Sequence, residues 1–546
     1  MSSPPVSQSQ ECHLIVLSHG LWGTSDHFSY LEELSQESLA AAYPEKRFAI
    51  YKTKSNEKFK TYDGIDLCGA RVVDEISEET AQLRTRDGLL VTEFSLIGYS
   101  LGGLIARFAI GMLTYRKYFE SISPINFVTF CSPHVGVLTP GDSSSIKCFN
   151  NMVPYLLGNS GKHMFLKDAV HLEHSDEKVP LLKSMATENS IFVQGLKKFK
   201  YRSLYSNIRA DIRTSWWSSG ISYINPFEIL DKNPEVLIDH DGFINFANGS
   251  KFELSFLDAF APIILDVNKP IKFTGLINYE NEKKSAKYAQ VAKQEEDYLK
   301  NFFYRKLKWS ILLFNTFIYV PMWMTWFVLF NVLQLFTSFF RVTRESSRLK
   351  DNFCIYNIVD QVATTVSNAI PIHSASSTPL LKPTSSRSLS EGYSNELNKL
   401  ENDLHDQGDF FLDSVFDAIT SSNNMNQSIF NQQSQGDKTL VTSISKLCSI
   451  PIDDITDWES DYKLLGKTKK EAFEYYQVLE SFRLNMSPHQ REIIKNLNQL
   501  EWSKYPIYIT KTNATHAAAI VRHEDPTFEE GKTVIRHFCE QVFKSD

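Results

Sequence analysis

The chain has 546 residues, of which 42% are hydrophobic and 22% charged, and its net charge is −7. The acidic balance argues against a nucleic-acid binder, which would show a basic excess or stripe, and the apolar content is that of a chain that folds. The length suits roughly three to four domains, or one large α/β domain with insertions.

The seven cysteines, Cys12, Cys68, Cys131, Cys148, Cys354, Cys448 and Cys539, are scattered and never form a CxxC pair. Neither a zinc site nor a disulfide framework is expected of them. Reduced thiols in a cytosol-facing protein are the simplest reading. Residues 1–11 are polar and lack the apolar core of a secretory signal.

Along the chain, Leu14–Leu17 reads as a buried strand that ends in Ser18-His19-Gly20. Phe48–Tyr51, Phe94–Ile97 and Phe127–Phe130 read as three more. Leu101, Leu104, Ile105, Phe108 and Met112 carry the spacing of a buried helix face between the third and fourth strands. Strands alternating with helices imply a parallel sheet covered on both faces. Residues 139–200 are expected to cap the sheet. Tyr201–Asn207 reads as a later strand, and residues 280–300 as a charged helix.

From Trp309 to Phe340 no side chain is charged over 32 residues. About 20 apolar residues cross a bilayer once and about 40 cross it twice. The run is long for one crossing and short for two, and Pro321 interrupts it. Arg305, Lys306 and Lys308 precede it, and Arg341, Arg344, Arg348 and Lys350 follow, so both ends are expected on the cytosolic side. The bland alternative is a buried core hairpin. Residues 372–440, rich in Ser, Thr, Pro, Asn and Gln, read as flexible linker. Beyond residue 440 the chain looks globular again. Ile507–Ile509 is a short strand candidate, and Val534, Ile535, Phe538, Val542 and Phe543 mark one face of a closing helix.

Gly98-Tyr99-Ser100-Leu101-Gly102 fits G-x-S-x-G between a strand and a helix. That is the setting of a nucleophile elbow, in which small neighbours let the serine stand exposed on a tight turn. Two backbone N–H groups should face the developing oxyanion, and Leu101 and Leu21 are the candidates. His19 is expected to be structural. The general base should follow the last strand, where His516 fits better than His523; His537 falls inside the closing helix. The orienting acid should follow Tyr201–Asn207, where Asp211 stands, with Asp231, Asp239 and Asp241 as alternatives. His134, Cys68 and Cys131 read as structural. No metal or cofactor is called for.

The stretches His19-Gly20-Leu21-Trp22-Gly23, Tyr62–Asp66, Gly98–Gly103 and Ser132–Gly136 together resemble the fungal serine esterase family. Its members include yeast lipid droplet phospholipases and monoacylglycerol lipase-like proteins. The resemblance covers about residues 13–230, and 495–525 through Ala514-Thr515-His516-Ala517. It implies an α/β-hydrolase acting on lipid acyl esters. Its Tyr/Phe-x-Asn-x-x-x-Asp pattern falls on Tyr205–Asp211 and favours Asp211 as the acid.

These readings make residues 1–300 the first part of the hydrolase core, 301–350 a hydrophobic hairpin, 351–440 a flexible insert and 441–546 the closing part of the core. Because Ser100 and Asp211 precede the apolar run and His516 follows it, a single membrane crossing would separate them. A returning hairpin, or an in-plane amphipathic insertion, on a lipid droplet or a cytosol-facing membrane keeps them together. The expected activity is hydrolysis of glycerolipid esters. A lipid acyltransferase with the same triad and a non-enzymatic tether are the alternatives.

Overall fold

The computed structural model describes residues 10–171, 178–211, 214–231, 243–245, 251–274, 332–345, 439–449 and 482–546, with a few single positions besides. The strands are β1 Gln10–Ser18, β2 Phe48–Lys52, β3 Leu89–Tyr99, β4 Ser123–Phe130, β5 Tyr201–Asn207, β6 Phe243–Asn245, β7 Lys251–Glu253, β8 Pro270–Thr274, β9 Thr439–Ser443 and β10 Ser503–Ile507. The helices that matter here are α1 Ser29–Ala42, α2 Ile65–Arg86, α3 Leu101–Tyr115, α4 Ser144–Leu156, α5 Gly158–Met164, α6 Ile191–Lys198, α7 Pro488–Leu497, α8 Thr515–Ala518 and α9 Glu529–His537.

Six strands form one sheet in the order β10-β5-β4-β3-β1-β2, and every pair in it is parallel. Parallel strands need covering on both faces, because the crossovers run there. β1 shows how. Leu14 and Val16 join one buried cluster with α2 and α3, while Ile15 and Leu17 join another with α1 and α9. The period of two along a strand sends alternate residues to opposite layers. This architecture, with the serine turn leaving the central strand β3, is the α/β-hydrolase fold.

The four strands read from the first 130 residues and the one at 201–207 are all present. The last strand is displaced: it spans Ser503–Ile507, not Ile507–Ile509. Pro506 lies inside it, which the sheet tolerates because β10 is an edge strand. A second, antiparallel sheet, β9-β8-β7-β6, joins residue 439 onward to the segment at 251–274.

The charged helix expected at 280–300, most of the apolar run and nearly all of the Ser- and Asn-rich insert lie outside the described residues. The end of the apolar run is described, and residues 332–345 are helical. Among the described residues no helix is long and apolar enough to cross a membrane.

Candidate active site

The elbow is set by sterics. Ser100 sits at φ 54°, in the left-handed region that side chains rarely adopt. Strain of this kind persists where the surrounding structure enforces it. Two glycines make the turn fit. A Cβ on Gly98 would lie 2.4 Å from the Gly103 Cα, and one on Gly102 would lie 2.0 Å from the Ser18 carbonyl oxygen. The Ser100 amide donates to the Phe130 carbonyl at 2.9 Å, which ties the turn to β4. Trp22, Cys131 and Ala210, in the segments that follow β1, β4 and β5, also have positive φ.

Leu101 opens α3 directly after Ser100. On the facing loop, a Cβ added at Gly20 would come within 2.7 Å of the Ser100 Cβ, so that loop runs against the serine. Leu21 and Leu101 both line the same cleft as Ser100. The neighbouring Trp22 amide donates to Thr61 Oγ1 at 3.1 Å, which braces this loop from outside.

β5 and β10 are hydrogen-bonded neighbours, and each ends in a loop at the same edge of the site. The β5 loop carries Asp211, and the β10 loop leads into α8 with His516. His516 Nδ1 and Asp211 Oδ2 are 2.9 Å apart. Asp211 is buried, and it accepts further bonds from Asn207 Nδ2 at 2.9 Å, the Thr214 amide at 3.0 Å and Thr214 Oγ1 at 3.0 Å. Burial pushes its pKa up, but the adjoining His516 and these donors outweigh that and hold it below the ordinary carboxylate value. An ionised carboxylate only accepts, so it selects the neutral imidazole tautomer with its proton on Nδ1 and its lone pair on Nε2.

Ser100 and His516 line one cleft of about 1100 Å³, its open mouth included. Its walls are largely apolar: Phe149 and Val153 from α4, Leu157 just after it, Met164 and Phe165 from the end of α5, and Trp217. Residues of the segment read as a cap therefore line the same cleft as the serine.

The rival residues go elsewhere. His134 is buried, its Nε2 2.9 Å from Thr129 Oγ1. His537 lies within α9, with Tyr205 Oη 2.7 Å from its Nδ1. His523 packs against Phe528, with ring centroids 4.7 Å apart. His19 is buried under its loop, 3.0 Å from the Gly20 carbonyl. Asp231 ends a short helix, while Asp239 and Asp241 lie outside the described residues. Cys68 and Cys131 are buried, and burial raises both thiols.

Sequence reasoning missed Thr214. Its Oγ1 sits 3.0 Å from Asp211 and 3.2 Å from His516 Nδ1, so one hydroxyl touches both. The signal was an Asp followed three residues later by Thr, the pattern of a loop that closes on its own backbone. One cluster of potential metal ligands exists among the described residues, Cys131, Asp211 and His516. An ion there would have to break the Asp211–His516 bond and deprotonate a thiol that burial keeps protonated.

The fold and the elbow define an α/β-hydrolase. Residues 8–221 match the model of the family described as "Putative serine esterase (DUF676)". The likeness to the serine esterase family is thus shown over that stretch. The chain is 30% identical over 236 residues to "Putative lipase YDL109C" and 26% identical over 224 residues to "Putative lipase ROG1", both of Saccharomyces cerevisiae. These matches take in 42% and 40% of this chain and only 33% and 30% of the relatives. Among solved structures, phospholipase PlaB of Legionella pneumophila is 14% identical, with 39% of this chain and 43% of that chain covered and a TM-score of 0.24. An extracellular α/β-hydrolase from a Paenibacillus species is 19% identical, with 27% and 52% covered and a TM-score of 0.19.

Proposed function

We propose that this protein is a serine hydrolase of glycerolipid acyl esters that works at a membrane or lipid droplet surface. The observation that carries the reading is the cleft. A serine on a strained elbow and an acid-braced histidine share it with a long apolar wall, which suits an acyl chain beside its ester. In the proposed reaction His516 Nε2 takes the Ser100 proton as Oγ attacks the ester carbonyl. The Leu21 and Leu101 amides receive the oxyanion. Asp211 stabilises the imidazolium, which then protonates the leaving alcohol. Water, activated by His516 in turn, releases the fatty acid.

The relatives' names as lipases support the esterase chemistry. The uncharged run at 309–340 supports the surface. The test is hydrolysis of phospholipid, triacylglycerol and monoacylglycerol by the purified full chain beside Ser100→Ala. The variant is expected to lose at least about 10⁴-fold in turnover. Equal turnover by the two proteins would refute Ser100 as nucleophile.

A further inference from the structure

The helix at 332–345 turns a polar cluster toward the protein, beside Leu335, which packs on the core. Its protein-facing side carries Ser338, Arg341 and Glu345, at the spacing of one helical face. Ser338 is 4% exposed, whereas Phe336, Phe339 and Phe340 on the other side are 60%, 65% and 56% exposed. Val332 and Leu333 extend that apolar face. A surface helix of a protein in water normally shows the reverse.

A buried carboxylate lies at the centre of the helix's polar contacts with the protein. Asp63 accepts from Ser338 Oγ at 2.5 Å and from Arg341 at 3.0 and 3.1 Å. Arg71 of α2 joins the cluster, donating to Asp63 at 2.8 Å and to Glu345 at 2.8 and 2.9 Å. Arg341 also reaches the Phe59 carbonyl at 3.1 Å.

Asp63 belongs to the segment that braces the active-site loop. Thr61 accepts the Trp22 amide and, through its carbonyl, the Ser160 hydroxyl at 2.5 Å. Asn159, at the start of α5, donates to the Asp63 carbonyl at 3.3 Å. α4, which ends just before it, lines the cleft with Phe149 and Val153 and exposes Met152 and Tyr155.

We infer that Asp63 latches this helix to the catalytic domain so that its apolar face docks on a lipid surface beside the cleft. The inference rests on the proposed lipid esterase reading. Three things favour lipid over a second protein. The exposed face ends a run of 32 uncharged residues. The sequence around that run is basic, with Arg305, Lys306 and Lys308 before it and Arg348 and Lys350 after it, which complements lipid phosphates. The polar residues that the helix turns toward the protein, Ser338, Arg341 and Glu345, are already bonded there. The latch would then fix the distance between surface and cleft.

The test uses the full chain carrying Ser100→Ala, floated with vesicles of phosphatidylcholine alone or mixed with phosphatidylserine. Phe336→Ser with Phe340→Ser is expected to weaken vesicle binding about tenfold or more. With Ser100 intact, the same pair should leave turnover of a short water-soluble ester within about twofold. Asp63→Asn, and Arg341→Gln as a second variant should the first not fold, should cut vesicle-lipid hydrolysis about tenfold more than soluble-ester hydrolysis. Unchanged vesicle binding by the face variant overturns the inference. So does loss of its soluble-ester turnover, which would mean that the chain covers this face itself. A dimer that the face variant abolishes overturns it too. If the wild-type chain turns over no ester but binds vesicles through this face, the esterase reading falls and the docking surface stands.

Discussion

His516 Nδ1 lies 2.9 Å from Asp211 Oδ2, although 305 residues separate them along the chain. Adjacent parallel strands close that gap. Ser503–Ile507 pairs with Ser203–Asn207, and the Ile208 amide continues the ladder to the Ile507 carbonyl at 3.0 Å. The pair is tied to the edge of the sheet, so its geometry survives whatever the intervening sequence does. Asp211→Asn should leave the fold intact by circular dichroism and lower kcat by about 10⁴, through loss of the charge that orients and stabilises the imidazolium.

Thr214 offers a finer test of the same pair. Thr214→Val keeps the shape and removes the hydroxyl shared by Asp211 and His516. A hydrogen bond to a charged group is worth about 1.5–3 kcal/mol. A fall in kcat of roughly tenfold to a hundredfold is therefore expected, with KM little changed. Thr214→Ser should recover most of the rate. No recovery by serine would remove the hydroxyl from the account.

The glycines of the elbow should not accept a methyl group. With only 2.0 Å between a Cβ on Gly102 and the Ser18 oxygen, Gly102→Ala must push α3 away from β1. A loss of roughly 2–3 kcal/mol in denaturant unfolding is expected, together with loss of esterase activity.

Glu93 gives a pH signature far from the site. Burial raises its pKa, but bonds from His13, Ser545 and Lys46 outweigh this and take it from 4.5 down to about 2. The folded value is depressed, so this stabilisation is complete above the unfolded value. It is lost as pH falls from about 4.5 through about 2. Glu93→Gln should therefore be less stable than wild type at pH 7, with the gap narrowing at roughly pH 3. Urea unfolding at the two pH values measures it, and a gap that widened in acid would contradict the assignment.

The wall of the cleft should set acyl length. Val153 on α4 lines it. Val153→Trp should lower kcat/KM for long-chain esters by about tenfold or more relative to short ones.

The sequence by itself carried the sheet as far as Asn207, the elbow at Ser100, and Asp211 and His516 as leading candidates. These signals are local: apolar runs of strand length, a G-x-S-x-G between strand and helix, a histidine after a late strand. It misplaced the last strand, because Pro506 argues against pairing until β10 is known to be an edge. It could not show Thr214 bridging acid and base, since that contact needs two loops more than 300 residues apart to meet. Nor could it orient the end of the apolar run. The composition of 309–340 says only that it avoids water. The turning of Ser338 and Arg341 toward a buried Asp63, with Phe336 and Phe340 outward, was decided by tertiary packing. A buried carboxylate is costly unless paired, and the partners it drew fixed which face of that helix meets the protein.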